Sequence, residues 1–292
     1  MKNWGPQFEK MGQRKIGLHV RLTSTLTDVV QKALRLELPF FQCFLLLQST
    51  GNLIQLDDAD VQSYVELRRK HFNDIYLHGS YWINLAGVRF TKHYSLDREL
   101  ALAKKLEFTH IVLHPGSAKG AKTRQEGIDA MAHVINKILR KEHTIKIVIE
   151  NGAYGALSVG GDLTDFQLLL SKLEQPEKIL FCIDTAHAHS FGYDIIDAAS
   201  RESFIQLLDE TIGIESIALL HLNDTNEKRG SQNDRHEVVG KGVLGDQVLR
   251  DFALHPRLKH IPLLLELPVL TEIEEKAVLD KVKSWHTQQG EE

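Results

Sequence analysis

Ile179–Tyr193 reads ILFCIDTAHAHSFGY. Its first five residues, Ile179 to Ile183, are apolar or sulfur-bearing, which suits a strand buried on both faces, as strands of parallel sheets are. The run ends at Asp184-Thr185-Ala186-His187. A carboxylate and an imidazole three residues apart can converge on a metal site if the chain turns there. Taken alone, the same residues also read as a surface Asp beside a chance His. Recurrence of the pattern along the chain decides between the two.

Working outward from this stretch, apolar strands and amphipathic helices alternate over the whole chain. Strands are predicted over residues 15–20, 40–47, 75–78, 111–114, 145–150, 179–184, 217–221 and 263–266. Helices are predicted over 25–36, 57–70, 95–106, 123–141, 162–173, 201–212, 245–252 and 272–287, the third capped by Ser95 with Glu99 beyond it. Eight strand–helix units match α/β architecture in the form of a (β/α)₈ TIM barrel, with the active site at the C-terminal face of the strands. A doubly wound sheet is the competing topology. It ordinarily has fewer repeats and a glycine-rich phosphate loop after an early strand, and no such loop occurs.

Composition bounds what such a site belongs to. With 292 residues, 42% hydrophobic and 25% charged, the chain is that of an ordinary globular protein. It has no Gly/Ser/Pro-rich linker, so one domain is expected over residues 1–292, with the barrel over roughly 15–287. The N-terminal MKNWGPQFEK has no apolar core and does not read as a secretory signal. The longest apolar runs are too short to span a bilayer, so no membrane association is expected. A cytoplasmic location is expected, associated with the nucleoid if the source is bacterial. Cys43 and Cys182 lie inside predicted strands and read as core residues of a reducing compartment. Fifteen histidines are dispersed with no His-rich tract, so each takes its meaning from its context.

The final residues of the last six predicted strands are His78, His114, Glu150, Asp184, His221 and Glu266. In a parallel barrel these side chains ring one mouth. Singly, each reads as a polar residue where a strand exits; together they are all nitrogen or oxygen donors of the kind zinc or manganese accepts. His187 follows Asp184 by three, and Asp234-Arg235-His236 lies in the polar loop after residue 221. Residues i and i+2 of an extended segment point the same way, so Asp234 and His236 can grip one ion while Arg235 points elsewhere. Nine donors exceed what one ion needs and suit a cluster of two or three.

His78-Gly-Ser-Tyr-Trp-Ile-Asn84, His114-Pro-Gly-Ser117, Ile149-Glu150-Asn151, Cys182-Ile-Asp184-Thr-Ala-His187, Gly192-Tyr-Asp194, His221-Leu-Asn-Asp224, Asp234-Arg-His236 and Glu266 together resemble the motifs of endonuclease IV. That family is the zinc-dependent apurinic/apyrimidinic endonuclease of DNA base-excision repair. The resemblance spans roughly residues 15 to 285. It implies a xylose isomerase-like TIM barrel, three Zn²⁺ ions with Mn²⁺ accepted at some sites, and hydrolysis of the phosphodiester 5′ to an abasic site to leave a 3′-hydroxyl. It places one zinc on His78 and His114, a second on Asp184, His221 and Glu266, and a third on His187, Asp234 and His236. Glu150 would bridge the first two ions and position a hydroxide nucleophile as the catalytic carboxylate. The implied partner is double-stranded DNA containing abasic sites, with a monomer the expected state.

A formal charge of −4 is unusual for a DNA enzyme, and the six positive charges of three divalent ions would take it to +2. Lys119, Lys122 and Arg124, with Lys228, Arg229, Arg235 and Lys241, are candidate phosphate contacts in loops of the same face. Tyr81 matches a DNA-contacting position of the family. The chain departs from the family in the loop after the second predicted strand, where Gln48 stands without the usual Arg and aromatic residue. It departs also at Arg21, Gly79 and His189. Two other classes fit parts of the pattern. A metal-dependent sugar isomerase or epimerase on a related barrel explains the strand-end donors but gives no role to His187 with Asp234 and His236; the other class is a noncatalytic DNA-binding relative.

Overall fold

Parallel strands must be covered on both faces, and the segments predicted as strands are apolar enough to be covered. In the computed structural model, which describes residues 14–47, 52–54, 56–88, 94–141 and 144–287, they close into a barrel. The elements in chain order are β1 (Ile16–His19), α1 (Leu26–Arg35), β2 (Phe41–Cys43), β3 (Leu46–Leu47), β4 (Asn52–Leu53), α2 (Asp58–His71), β5 (Tyr76–His78) and α3 (Tyr94–Lys105). There follow β6 (His110–Leu113), α4 (Arg124–Leu139), β7 (Lys146–Glu150), α5 (Thr164–Leu170), β8 (Ile179–Asp184), α6 (Thr185–Phe191) and α7 (Ala198–Ile212). The chain then runs through β9 (Ile217–His221), α8 (Gly245–Leu254), β10 (Leu263–Leu265) and α9 (Glu272–Thr287). The barrel order is β1-β10-β9-β8-β7-β6-β5-β2, closed by parallel pairing of β2 with β1, as the (β/α)₈ reading expects.

Four sequence expectations need correction in detail. The apolar run 40–47 is not one strand: β2 ends at Cys43, and Leu46–Leu47 leave the barrel to pair antiparallel with Asn52–Leu53. An apolar run alone does not fix where pairing stops. Ser95 is not the cap of α3, which already includes Tyr94. Glu99 instead reaches across to Ser80, accepting from its backbone N–H and its hydroxyl. The helix expected over 162–173 is the shorter α5. Finally, a helix not expected from sequence, α6, starts immediately after β8, with Asp184 as its cap accepting from the His187 N–H.

The barrel interior is what positions the site. Phe40, Tyr76, Val112, Val148, Cys182, Leu219 and Leu264 form a buried cluster of their own, drawn from one barrel strand after another. Gly17 completes the layer on β1: a Cβ there would lie 2.7 Å from the Phe40 ring, so the ring fills the space a side chain would need. Side chains alternate along a strand, so the residue two further on from each of these faces the same lumen. Those residues are His19, Gln42, His78, His114, Glu150, Asp184, His221 and Glu266. Cys43 and Cys182 are both free and buried, as expected of core residues.

At the opposite end of β6, His110 is buried and stacks on Tyr76 with ring centroids 4.4 Å apart. Burial, helped by Lys146, holds its pKa down at about 4 from an ordinary 6.5. The folded protein therefore favours neutral His110, a contribution fully present above pH 6.5 and lost as pH falls toward 4. Relative to H110F, the wild type is expected to lose about 2 to 3 kcal/mol of unfolding free energy between pH 7 and 4. Urea unfolding at a series of pH values checks this, and parallel pH curves for the two proteins would contradict it.

Candidate metal centre

Every barrel strand delivers one nitrogen or oxygen donor to the C-terminal mouth, and most approach one another closely. Glu150 Oε2 lies 3.3 Å from His78 Nε2 and 3.1 Å from His114 Nε2. Its other oxygen lies 2.8 Å from His221 Nδ1. The same His221 nitrogen is 3.4 Å from Glu266 Oε2 and 3.8 Å from Asp184 Oδ2. His187 Nε2 and His236 Nε2 lie 3.1 and 3.5 Å from Asp234 Oδ1, and His236 Nε2 is also 3.5 Å from Asp184 Oδ2. All nine predicted donors are thus brought together.

Eight of the nine fall into three groups whose ligating atoms lie within 4.8 Å of one another: His78 with His114 and Glu150; Glu150 with Asp184, His221 and Glu266; and Asp184 with His187 and His236. Glu150 and Asp184 each belong to two groups. Asp184 stands in the third group where Asp234 was expected, and Asp234 borders it through both histidines.

The backbone explains why these rings face one another. His78 Nδ1 donates to the Gly79 carbonyl at 2.8 Å and His187 Nδ1 to the Asn151 carbonyl at 2.9 Å, which makes Nε2 of each the nitrogen that faces the centre. Asn151 also accepts from the Asp184 N–H at 2.6 Å and donates to the Asp184 carbonyl. Asn223 donates to Asp184 Oδ2 at 2.6 Å and to Glu266 Oε2 at 3.1 Å. The loop carrying Asp234 and His236 is tied down by Asp224, a fully buried carboxylate. It accepts the backbone N–H groups of Thr225, Gly240, Gly242, Leu244 and Gly245.

The electrostatics are those of a cluster balanced by opposite charge. Burial opposes ionisation of Glu150 and Glu266, yet His221 and the other imidazoles hold both carboxyls well below the usual range. Asp234 is likewise lowered, against its burial, by His187, His236 and His114. Burial pulls His187 and His221 down, and their anionic neighbours raise both well above 6.5.

The residues fit divalent cations on grounds of geometry. Glu150 Oε2, His187 Nε2 and His236 Nε2 are buried without a hydrogen-bond partner, although each has an opposite donor at 3.1–3.5 Å. Close approach without hydrogen-bond alignment is what donors aimed at a shared point between them produce. The mix of imidazole and carboxylate, with no ligand from Lys or Arg, suits zinc or manganese.

Beside the centre lies a cavity of about 430 Å³ lined by His19, Arg21, Phe44, Tyr81, Glu266 and Pro268 among others. Tyr81 is 58% exposed at the mouth, its ring 5.5 Å from that of His114. Lys119 and Arg235 are exposed, Arg235 standing 3.9 Å from Glu227. Arg124 and Arg229 are engaged instead by Asp162 and Asp165 and by Asp194, respectively. Gln48 lies outside the described residues. His189 is buried with both ring nitrogens unpartnered.

Two donors of the ring, His19 and Gln42, escape the sequence reading. The predicted strands ran past them, to Val20 and Leu47, so neither stood at a strand end. Counting two residues on from Phe40 would have found Gln42.

A family model for the xylose isomerase-like TIM barrel matches residues 30–286. The probable endonuclease 4 of Bacillus cytotoxicus is 32% identical over 220 residues, covering 71% of this chain and 72% of that protein. The chain belongs to the endonuclease 4 family. Its likeness to the probable endonuclease 4 of Clostridium botulinum runs over 258 residues at 28% identity, covering 87% of this chain and 92% of that one. The crystal structure of endonuclease IV from Thermus thermophilus superposes with a TM-score of 0.78 at 26% identity, over 94% of this chain and 99% of the other.

In this endonuclease 4 family member the Asp224 knot sets where Asp234 and His236 lie. Replacing Asp224 with Asn puts an amide NH₂ against backbone N–H groups in either orientation. D224N is expected to lose roughly 3 kcal/mol of stability and to become cleavable by protease within residues 226–243. Denaturant unfolding and limited proteolysis read both, and a wild-type-like loop would show that the knot is dispensable.

Proposed function

We propose that the protein is a zinc-dependent apurinic/apyrimidinic endonuclease of base-excision repair. It hydrolyses the phosphodiester 5′ to an abasic site in duplex DNA, leaves a 3′-hydroxyl, and works as a monomer. The observation that carries this reading is the convergence of three donor groups through two shared carboxylates, Glu150 and Asp184, at the mouth of a barrel of the endonuclease 4 family. A sugar isomerase on a related barrel leaves His187, Asp234 and His236 without a task.

Three ions would be held by His78 and His114, by Asp184, His221 and Glu266, and by His187, Asp234 and His236, with Glu150 between the first two sets. Divalent cations held there supply Lewis acidity, which makes water a competent nucleophile at neutral pH and offsets charge building on a phosphodiester. Glu150, fully buried and kept ionised, orients the attacking water by accepting a hydrogen bond from it. Tyr81 at the mouth packs on the DNA beside the lesion, and Lys119 and Arg235 contact phosphate without reading sequence. Gln48 completes the DNA-contacting set.

A labelled duplex with one synthetic abasic site, beside an undamaged duplex, tests the reading. Incision on the 5′ side is expected for the abasic duplex alone, lost after stripping with a strong chelator and restored by zinc. E150Q is expected to lower the rate on the order of 10³-fold. An abasic duplex left intact by fully metallated protein would overturn the assignment.

A further inference from the structure

Gln42 is a polar side chain where the barrel lumen two residues earlier takes Phe40, and it is fully buried. An uncompensated carboxamide there would cost several kcal/mol by transfer, so its partners explain its presence. Gln42 Nε2 lies 2.7 Å from Glu266 Oε1 and 3.0 Å from His19 Nδ1, and Gln42 Oε1 lies 3.2 Å from His221 Nε2. A carboxylate only accepts, so the amide nitrogen must face Glu266 and the amide oxygen is left to accept from His221. His221 therefore carries a proton on Nε2, and Nδ1 is the nitrogen that faces Glu150, Glu266 and Asp184. Glu266 is held at Oε1, leaving Oε2 toward His221 and His236.

We propose that Gln42 is a positioning residue of the metal centre, whose single carboxamide fixes the tautomer of His221 and, together with Asn223 at the other carboxylate oxygen, the rotamer of Glu266, so that His221 Nδ1 and Glu266 Oε2 face one ion. It does with a side chain what the Gly79 and Asn151 carbonyls do for His78 and His187. The inference rests on the proposed metal-dependent reading and concerns only the group made by Glu150, Asp184, His221 and Glu266. His19, 3.3 Å from Glu266 Oε1 and packed on Phe44, takes the second amide hydrogen and keeps Gln42 from turning.

The test is zinc retention in wild type, Q42M and Q42E under chelator competition, with ¹⁵N-histidine NMR of the zinc-loaded forms and melting of the stripped forms. Q42M, close to Gln in size, is expected to hold one ion about 10- to 100-fold more weakly while the others are unchanged. It should lose the Nε2–H signal of His221 and melt no lower than wild type when stripped. Q42E keeps the acceptor for His221 but sets a second carboxylate against Glu266 Oε1, and is expected to lose affinity at least as far as Q42M while keeping the Nε2–H signal of His221. If Q42M and Q42E both retain every ion as tightly as wild type, or if Q42M lowers only the melting of the stripped protein, Gln42 is a packing residue and the inference fails while the metal reading stands. If the wild type retains no divalent ion, both fall together.

Discussion

None of the carboxylates at the barrel mouth could be buried there alone. Removing an unpaired charge from water costs several kcal/mol or more, and Glu150 and Asp184 are fully enclosed. What makes their burial tolerable is mutual: each faces imidazoles at 2.8–3.8 Å, and each imidazole faces at least one acid. Cations would relieve the same arrangement further by taking the place of the imidazole protons. The fold below is organised to impose this proximity, since the layer from Phe40 to Leu264 blocks the lumen and leaves the next inward position of each strand at the mouth.

The barrel was legible because burial on both faces leaves a simple trace, an apolar run interrupted by one polar residue. His78, His114, Glu150, Asp184, His221 and Glu266 each break or end such a run, so reading strand ends recovers them. His19 and Gln42 occupy equivalent places, yet apolar residues follow both, and a run that continues beyond the barrel hides the donor inside it. Gln42 sits between Phe41 and Cys43. Strand ends are set by tertiary pairing, and β2 hands its chain to a hairpin that the run of leucines does not announce.

Helix α6 was illegible for a different reason. It is seven residues long, and its start is dictated by a cap and not by amphipathic periodicity. Asn151 and Asp224 act on the site through backbone groups, and Asn223 through a backbone N–H and two carboxylates, all brought near only in the folded barrel. No spacing rule predicts a side chain that serves a strand 33 or 43 residues away. Types of donor and their order are written locally, whereas the side chains that aim them are specified by topology.

Asp184 uses its two oxygens for different purposes. Oδ1 accepts the His187 N–H that opens α6, and Oδ2 faces His221, His236 and Asn223. One carboxylate therefore joins the integrity of a short helix to the spacing of two donor groups. Fraying the first turn of α6 removes one hold on each of these residues, leaving His187 to the Asn151 carbonyl and Asp184 to Asn223. The helix serves as a latch for the centre: amide exchange at His187 would report on the centre's intactness, though that amide binds nothing but its cap.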